Sequence, residues 1–84
     1  MAHSIKYKPS VEKEIDSLDG DLKKRIARAI RALADNPRPS GCKKLRGSDL
    51  YRIRIGEYRV IYEVRDDVLF VLVLRVGHRS EIYK

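Results

Sequence analysis

Residues 51–64 read YRIRIGEYRVIYEV. Apolar and polar side chains alternate through both halves, as half-buried strands require. The halves are separated by Gly56-Glu57, and a two-residue loop with glycine first is the signature of a type II′ hairpin turn. Such a turn fixes the register. Ile55 lies opposite Tyr58, so Arg54 faces Arg59, Ile53 faces Val60 and Arg52 faces Ile61. Tyr51, Ile53, Ile55, Tyr58, Val60 and Tyr62 then share the core face, and Arg52, Arg54, Arg59 and Ile61 share the other. Like charges directly opposite one another destabilise a strand pair. Local folding rules are most often broken at functional sites, so the facing arginines are the first candidate site.

Working outward, HSIKYK (3–8) alternates like a short strand. In PSVEKEIDSLD (9–19) the period changes. Val11, Ile15 and Leu18 form one helical stripe, with Ser10 as the expected N-cap. DLKKRIARAIRALAD (21–35) is a stronger helix, with Leu22, Ile26, Ile30 and Leu33 on one face and Lys23, Lys24, Arg25, Arg28 and Arg31 on the other. Asn36-Pro37 ends it. PRPSGCKKLRGSD (37–49) reads as loop. After the hairpin, a three-residue turn at 65–67 leads into VLFVLVLRV (68–76), the most apolar strand, and HRSEIYK (78–84) is a short tail.

With that turn, Val68, Phe70, Leu72 and Leu74 face the core, while Leu69, Val71 and Val73 line the arginine face. Arg59 then neighbours Val73, and Arg75 approaches Glu57. The expected fold is α+β: an N-terminal strand, a two-helix hairpin and a three-stranded antiparallel meander, with the helices packed on one face of the sheet. At 84 residues a single domain spanning 1–84 is expected.

Composition narrows the function. The net charge is +7, with 8 basic and 6 acidic side chains in residues 1–36 and 11 and 6 in residues 37–84. A basic surface of this kind attracts polyanions. No apolar run approaches a membrane span, and MAHSIKYKPS lacks the apolar stretch of a signal peptide, so a cytoplasmic protein is expected. The one cysteine, Cys42, cannot form an internal disulfide, and no zinc-ligand spacing is present, so no metal or cofactor is expected.

The segments KLRG (44–47), YRIRIGEYRVIYEV and VGHRSEIY (76–83), in this β-α-α-β-β-β order, resemble the RelE/ParE superfamily of bacterial and archaeal toxins, in its RelE-like branch. The resemblance implies the toxin of a type II toxin–antitoxin system. Its RelE-like members are metal-independent, ribosome-dependent endoribonucleases that cut mRNA in the ribosomal A site, using the RNA's own 2′-hydroxyl. It implies a cognate acidic antitoxin as partner, the ribosome and mRNA as targets, and contact with promoter DNA only through the antitoxin complex.

Carried over by motif, the basic residues of the first hairpin strand are Arg52 and Arg54, and the arginine after the turn and a tyrosine is Arg59. The arginine after VG is Arg79, the tyrosine of SEIY is Tyr83, and His78 corresponds to the histidine of some branches. Lys43, Lys44 and Arg46 are candidate RNA-phosphate contacts. Where the best-known members carry lysines, this chain has Arg52 and Arg54, and a guanidinium stays protonated, so neither serves as a general base. Arginines suit the charge that builds on a phosphorane, because the planar fork grips phosphate oxygens in pairs. Tyr83 is the expected base, with a phenol that nearby cations would lower, and His78 is the second candidate. Two other readings remain: a ParE-type toxin that inhibits DNA gyrase, and a basic interaction domain without catalysis.

Overall fold

A computed structural model describes residues 2–45 and 49–82. The element order is β1 (Ser4–Tyr7), α1 (Pro9–Asp16), α2 (Gly20–Ala32), β2 (Lys43–Lys44), β3 (Leu50–Ile55), β4 (Tyr58–Arg65), β5 (Phe70–His78) and α3 (Arg79–Ile82). The strands form one sheet in the order β1-β5-β4-β3-β2, with β1 parallel to β5 and the remaining pairs antiparallel. No helix among the described residues is long and apolar enough to cross a membrane.

The core lies between the helices and one sheet face. Val11 of α1, Ile26 and Ile30 of α2 and Leu33 just after it pack with Ile53, Ile55, Val60, Tyr62, Val64, Val71, Val73 and Val76. Tyr51 stacks on Tyr62 at 5.9 Å between ring centroids. The Tyr62 hydroxyl donates to the Pro37 carbonyl at 2.7 Å, which ties the loop after α2 to the sheet. α1 begins at Pro9 with Lys8 as N-cap and no side-chain cap, so Ser10 does not serve. Proline suits that first position because its missing N–H would be an orphan there in any case. Asp19 caps α2 by accepting the Leu22 N–H at 3.2 Å.

The β3–β4 register matches the expectation at Arg54↔Arg59, Ile53↔Val60 and Arg52↔Ile61. The last strand corrects it. The connection from β4 is the four-residue turn 66–69, so Arg65 pairs with Phe70 and the faces of β5 are exchanged. Val71 and Val73 are buried in the core, Leu72 and Leu74 lie on the arginine side, and Val68 at 57% exposure stands in the turn. Leu69, also in that turn, takes φ 52°, a left-handed conformation that no glycine announces.

The register shifts once more between Ile61 and Tyr62, where β5 carries an extra residue. As a result Arg59 stands opposite Gly77 rather than Val73. Arg75 pairs with Glu14 at 2.9 Å, and Glu57 meets Arg79 instead. Two further elements were hidden in the sequence. Lys43–Lys44 form β2 on the sheet edge, and the tail begins as α3, which packs against β5 and β4.

Candidate nucleic-acid interface

The rows of the sheet bring cations together at the β3–β4 turn. Arg54, Arg59 and Gly77 form one row across β3, β4 and β5. Lys43, Arg52 and Ile61 form the next row across β2, β3 and β4. Directly opposed residues sit roughly 5 Å apart at Cα, so four cations occupy two adjacent rows of one face. Arg52 is 5% exposed and Arg59 9%, whereas Arg54 and Lys43 are exposed. Burial matters here. A guanidinium taken from water needs partners for its donors, and Arg52 Nε is buried with no hydrogen-bond partner among the described residues. Arg54 enters no salt bridge among those residues. An arriving phosphate supplies the acceptors that these groups lack.

Arg79 is the first residue of α3, two positions beyond Gly77. Its N–H donates to the Glu57 carbonyl at 2.9 Å, and its Nε lies 3.4 Å from the Glu57 carboxylate. Both partners are exposed, so the pair is readily exchanged for a stronger anion. Arg79 therefore starts its helix beside the turn that carries the arginine pair.

His78 does not share this face. It is paired with Tyr58 on the helix side of the sheet and meets that ring edge-on at 5.5 Å. There it lines a small cavity with Glu14, Leu18 and Val76. Its Nδ1 accepts the Ser80 N–H at 3.2 Å and lies 2.9 Å from the Ser80 hydroxyl. In the neutral ring, an accepting Nδ1 places the proton on Nε2. Lys44 lies opposite Tyr51 and so belongs to the other side of the edge. Arg46 and Tyr83 lie outside the described residues.

The arginine face is not wholly polar. Beyond Ile61 it continues through Leu50, Leu72 and Leu74, all half-buried, to Phe70, where Lys6 Nζ stands 4.7 Å from the ring centroid. A second basic surface lies on α2. Lys24, Arg25, Arg28 and Arg31 are exposed there, and none of them is salt-bridged among the described residues.

Sequence reasoning missed Glu14 as a partner of the site and gave Glu57 to Arg75 rather than to Arg79. Glu14 had a signal: it falls among Val11, Ile15 and Leu18, a carboxylate on an otherwise apolar stripe.

Comparison with known proteins supports one family. The profile described as "ParE toxin of type II toxin-antitoxin system, parDE" matches residues 5–83. The mRNA interferase toxin RelE of Escherichia coli K12 is 31% identical over 88 residues, covering 99% of this chain and 92% of that one. Toxin RelE3 of Methanocaldococcus jannaschii is 34% identical over 76 residues, covering 84% of each. A chain of the archaeal RelE–RelB complex of Pyrococcus horikoshii superposes with a TM-score of 0.86 at 31% identity, covering 96% of this chain and 99% of that one.

Proposed function

The chain belongs to the RelE/ParE superfamily of toxins of type II toxin–antitoxin systems, and on that premise we propose that it is a ribosome-dependent endoribonuclease that cuts mRNA in the ribosomal A site. The observation that carries this reading is the row Arg54–Arg59–Gly77, two arginines set face to face beside a residue with no side chain. That geometry opposes stability and suits a phosphate. The name of the E. coli relative, an mRNA interferase, supports the same choice.

In the proposed reaction the RNA 2′-hydroxyl loses its proton to a base, and its oxygen attacks the adjacent phosphorus. The bond from phosphorus to the 5′-oxygen breaks, and that oxygen takes a proton from solvent, leaving a 2′,3′-cyclic phosphate and a 5′-hydroxyl. Charge builds on the non-bridging oxygens, where Arg52, Arg54, Arg59 and Arg79 act as fixed cations. Tyr83, as the phenolate that the neighbouring cations favour, takes the 2′-proton. The position of His78 across the sheet, with Nδ1 engaged, favours Tyr83 over it. Lys43 and the exposed cations of α2 hold flanking phosphates or ribosomal RNA as a salt-sensitive surface.

A cognate acidic antitoxin silences the toxin by covering the same face. Its apolar residues meet Ile61, Leu72 and Leu74, and its carboxylates meet the arginines. The RelE–RelB complex of P. horikoshii, whose toxin fold this chain shares, supports that partner class. The test of function is to map mRNA 5′ ends by primer extension after brief expression. Discrete cuts within translated codons are expected. The ParE-type reading, favoured by the name of the matching profile, requires intact mRNA together with DNA damage. Intact mRNA without growth arrest would leave only a binding domain.

A further inference from the structure

Glu14 takes no part in the chemistry above. It lies near the end of α1 with its side chain only 23% exposed, and both its carboxylate oxygens are used on β5. Oε2 accepts Arg75 Nε at 2.9 Å, and Oε1 accepts the Val76 N–H at 2.9 Å. Those two residues sit at the bulge. Tyr62 pairs with Val73 on one side of it and Ile61 with Arg75 on the other, so Leu74 is the residue that β4 does not match.

We propose that Glu14 is a positioning residue for the arginine face: it holds the β5 bulge and thereby decides which residues stand beside Arg59. The proposal rests on the reading of that face as the cleavage site. Had β5 continued without the extra residue, Arg75 would oppose Val60 and Val76 would oppose Arg59. A guanidinium would then face the buried side of the sheet, and valine methyls would fill the space next to the arginine pair. With the bulge, Val76 enters the core at 2% exposure and Gly77 reaches the Arg59 row. A bulge disrupts the ladder and leaves backbone groups to be satisfied elsewhere. The Glu14 carboxylate satisfies one through a charge-assisted bond, and Arg75 keeps it from rotating away. Everything downstream inherits the shift, including the Tyr58–His78 contact and the Arg79 N–H bond to Glu57.

The experiment compares the parent with Glu14→Ala, Glu14→Asp and Glu14→Gln on programmed ribosomes. Glu14→Ala is expected to lower the saturating single-turnover rate by up to about 10²-fold, the usual cost of a misplaced catalytic group. The half-saturating ribosome concentration should stay within about twofold, because no binding cation has changed. Glu14→Gln keeps an acceptor for the Val76 N–H and should recover most of the rate. Glu14→Asp keeps the charge on a shorter arm and should not. Amide exchange at Val76 and Arg79 should quicken in the Ala and Asp variants and not in Gln. A folded Glu14→Ala protein that cleaves at the parent rate overturns the proposal. If the Ala variant does not fold, a parent-like rate in Glu14→Asp overturns it. If the parent itself cuts no mRNA, the cleavage reading fails separately, and the exchange pattern still decides whether Glu14 holds the bulge.

Discussion

The two ends of the sheet treat their cations in opposite ways. At the β4–β5 turn two arginines and a histidine each meet an acid. Arg38 bonds Asp66 at 2.8 Å and the Tyr51 hydroxyl at 3.0 Å, His3 meets Asp66 at 3.1 Å, and Arg65 meets Asp67 at 3.3 Å. At the β3–β4 turn, Arg52 and Arg54 are salt-bridged to nothing among the described residues, and the carboxylate nearby, Glu57, holds Arg79 only at 3.4 Å and with both side chains exposed. The first end uses charge to hold the fold. The second leaves Arg52 and Arg54 without an acid among the described residues, an arrangement that costs stability and is useful only when an anion arrives. If this contrast is right, substitutions at the arginine end change cleavage and leave stability nearly alone, and substitutions at the paired end do the reverse.

The largest effect is expected from Tyr83→Phe. The ring is kept and the hydroxyl lost, so antitoxin affinity and melting temperature should hold while single-turnover cleavage falls by about 10²–10⁴, the range for losing a general acid–base group. If Tyr83→Phe cleaves at the parent rate and His78→Ala is dead, the base is His78, despite its place across the sheet. Next come Arg59→Ala and Arg79→Ala. Loss of one fixed cation from the transition state should cost about 2–4 kcal/mol, by analogy with a lost oxyanion donor. Growth arrest by both variants at the parental level would remove the arginine face from the mechanism.

These predictions depend on how much of the site was legible. The hairpin was readable because Gly56-Glu57 names its own turn type, and a two-residue turn leaves one register. The last strand was not. VLFVLVLRV is apolar on both faces, so alternation carries no information about which side is buried. The turn before it spends Val68 and Leu69 as loop residues, with Leu69 in a conformation usually marked by glycine. The bulge then shifts the register a second time, and the carboxylate bonded beside it sits on α1, distant in sequence. Sequence patterns report local periods, and a face set by a tertiary contact lies beyond them. The same limit hid β2, since two lysines in a Pro/Gly-rich stretch have no strand period to show.

A smaller effect tests the paired end. Tyr62→Phe removes the hydroxyl that bonds the Pro37 carbonyl, a group that burial has already pushed well above the usual phenol range. The loss should be about 1 kcal/mol, or roughly 4–8 °C in melting temperature for a domain of this size, with cleavage unchanged. Arg54→Ala should move the other way, gaining a few tenths of a kcal/mol by relieving the facing pair. A melting temperature that falls in Arg54→Ala would mean that this cation is already compensated, and the contrast between the two ends would weaken.

The smallest expected effect is confined to acid. Hydrogen bonds from Arg38 and then His3 hold the Asp66 carboxyl below its ordinary range. A carboxyl lowered in the folded state adds stability that is complete above its unfolded value of about 3.9 and disappears as pH falls through the lower, folded value. Asp66→Asn removes that titration. The parent should therefore lose stability more steeply than Asp66→Asn below about pH 4, and the two melting curves should converge as acid protonates Asp66. Because the pair is exposed, added salt should shrink the difference. Cleavage near neutral pH should be the same in both, since Asp66 belongs to the end of the sheet away from the arginines. Parallel acid limbs in parent and variant would show that Asp66 does not anchor Arg38 and His3 in solution. The ordered charge of that end would then be no better compensated than the arginine face it is contrasted with.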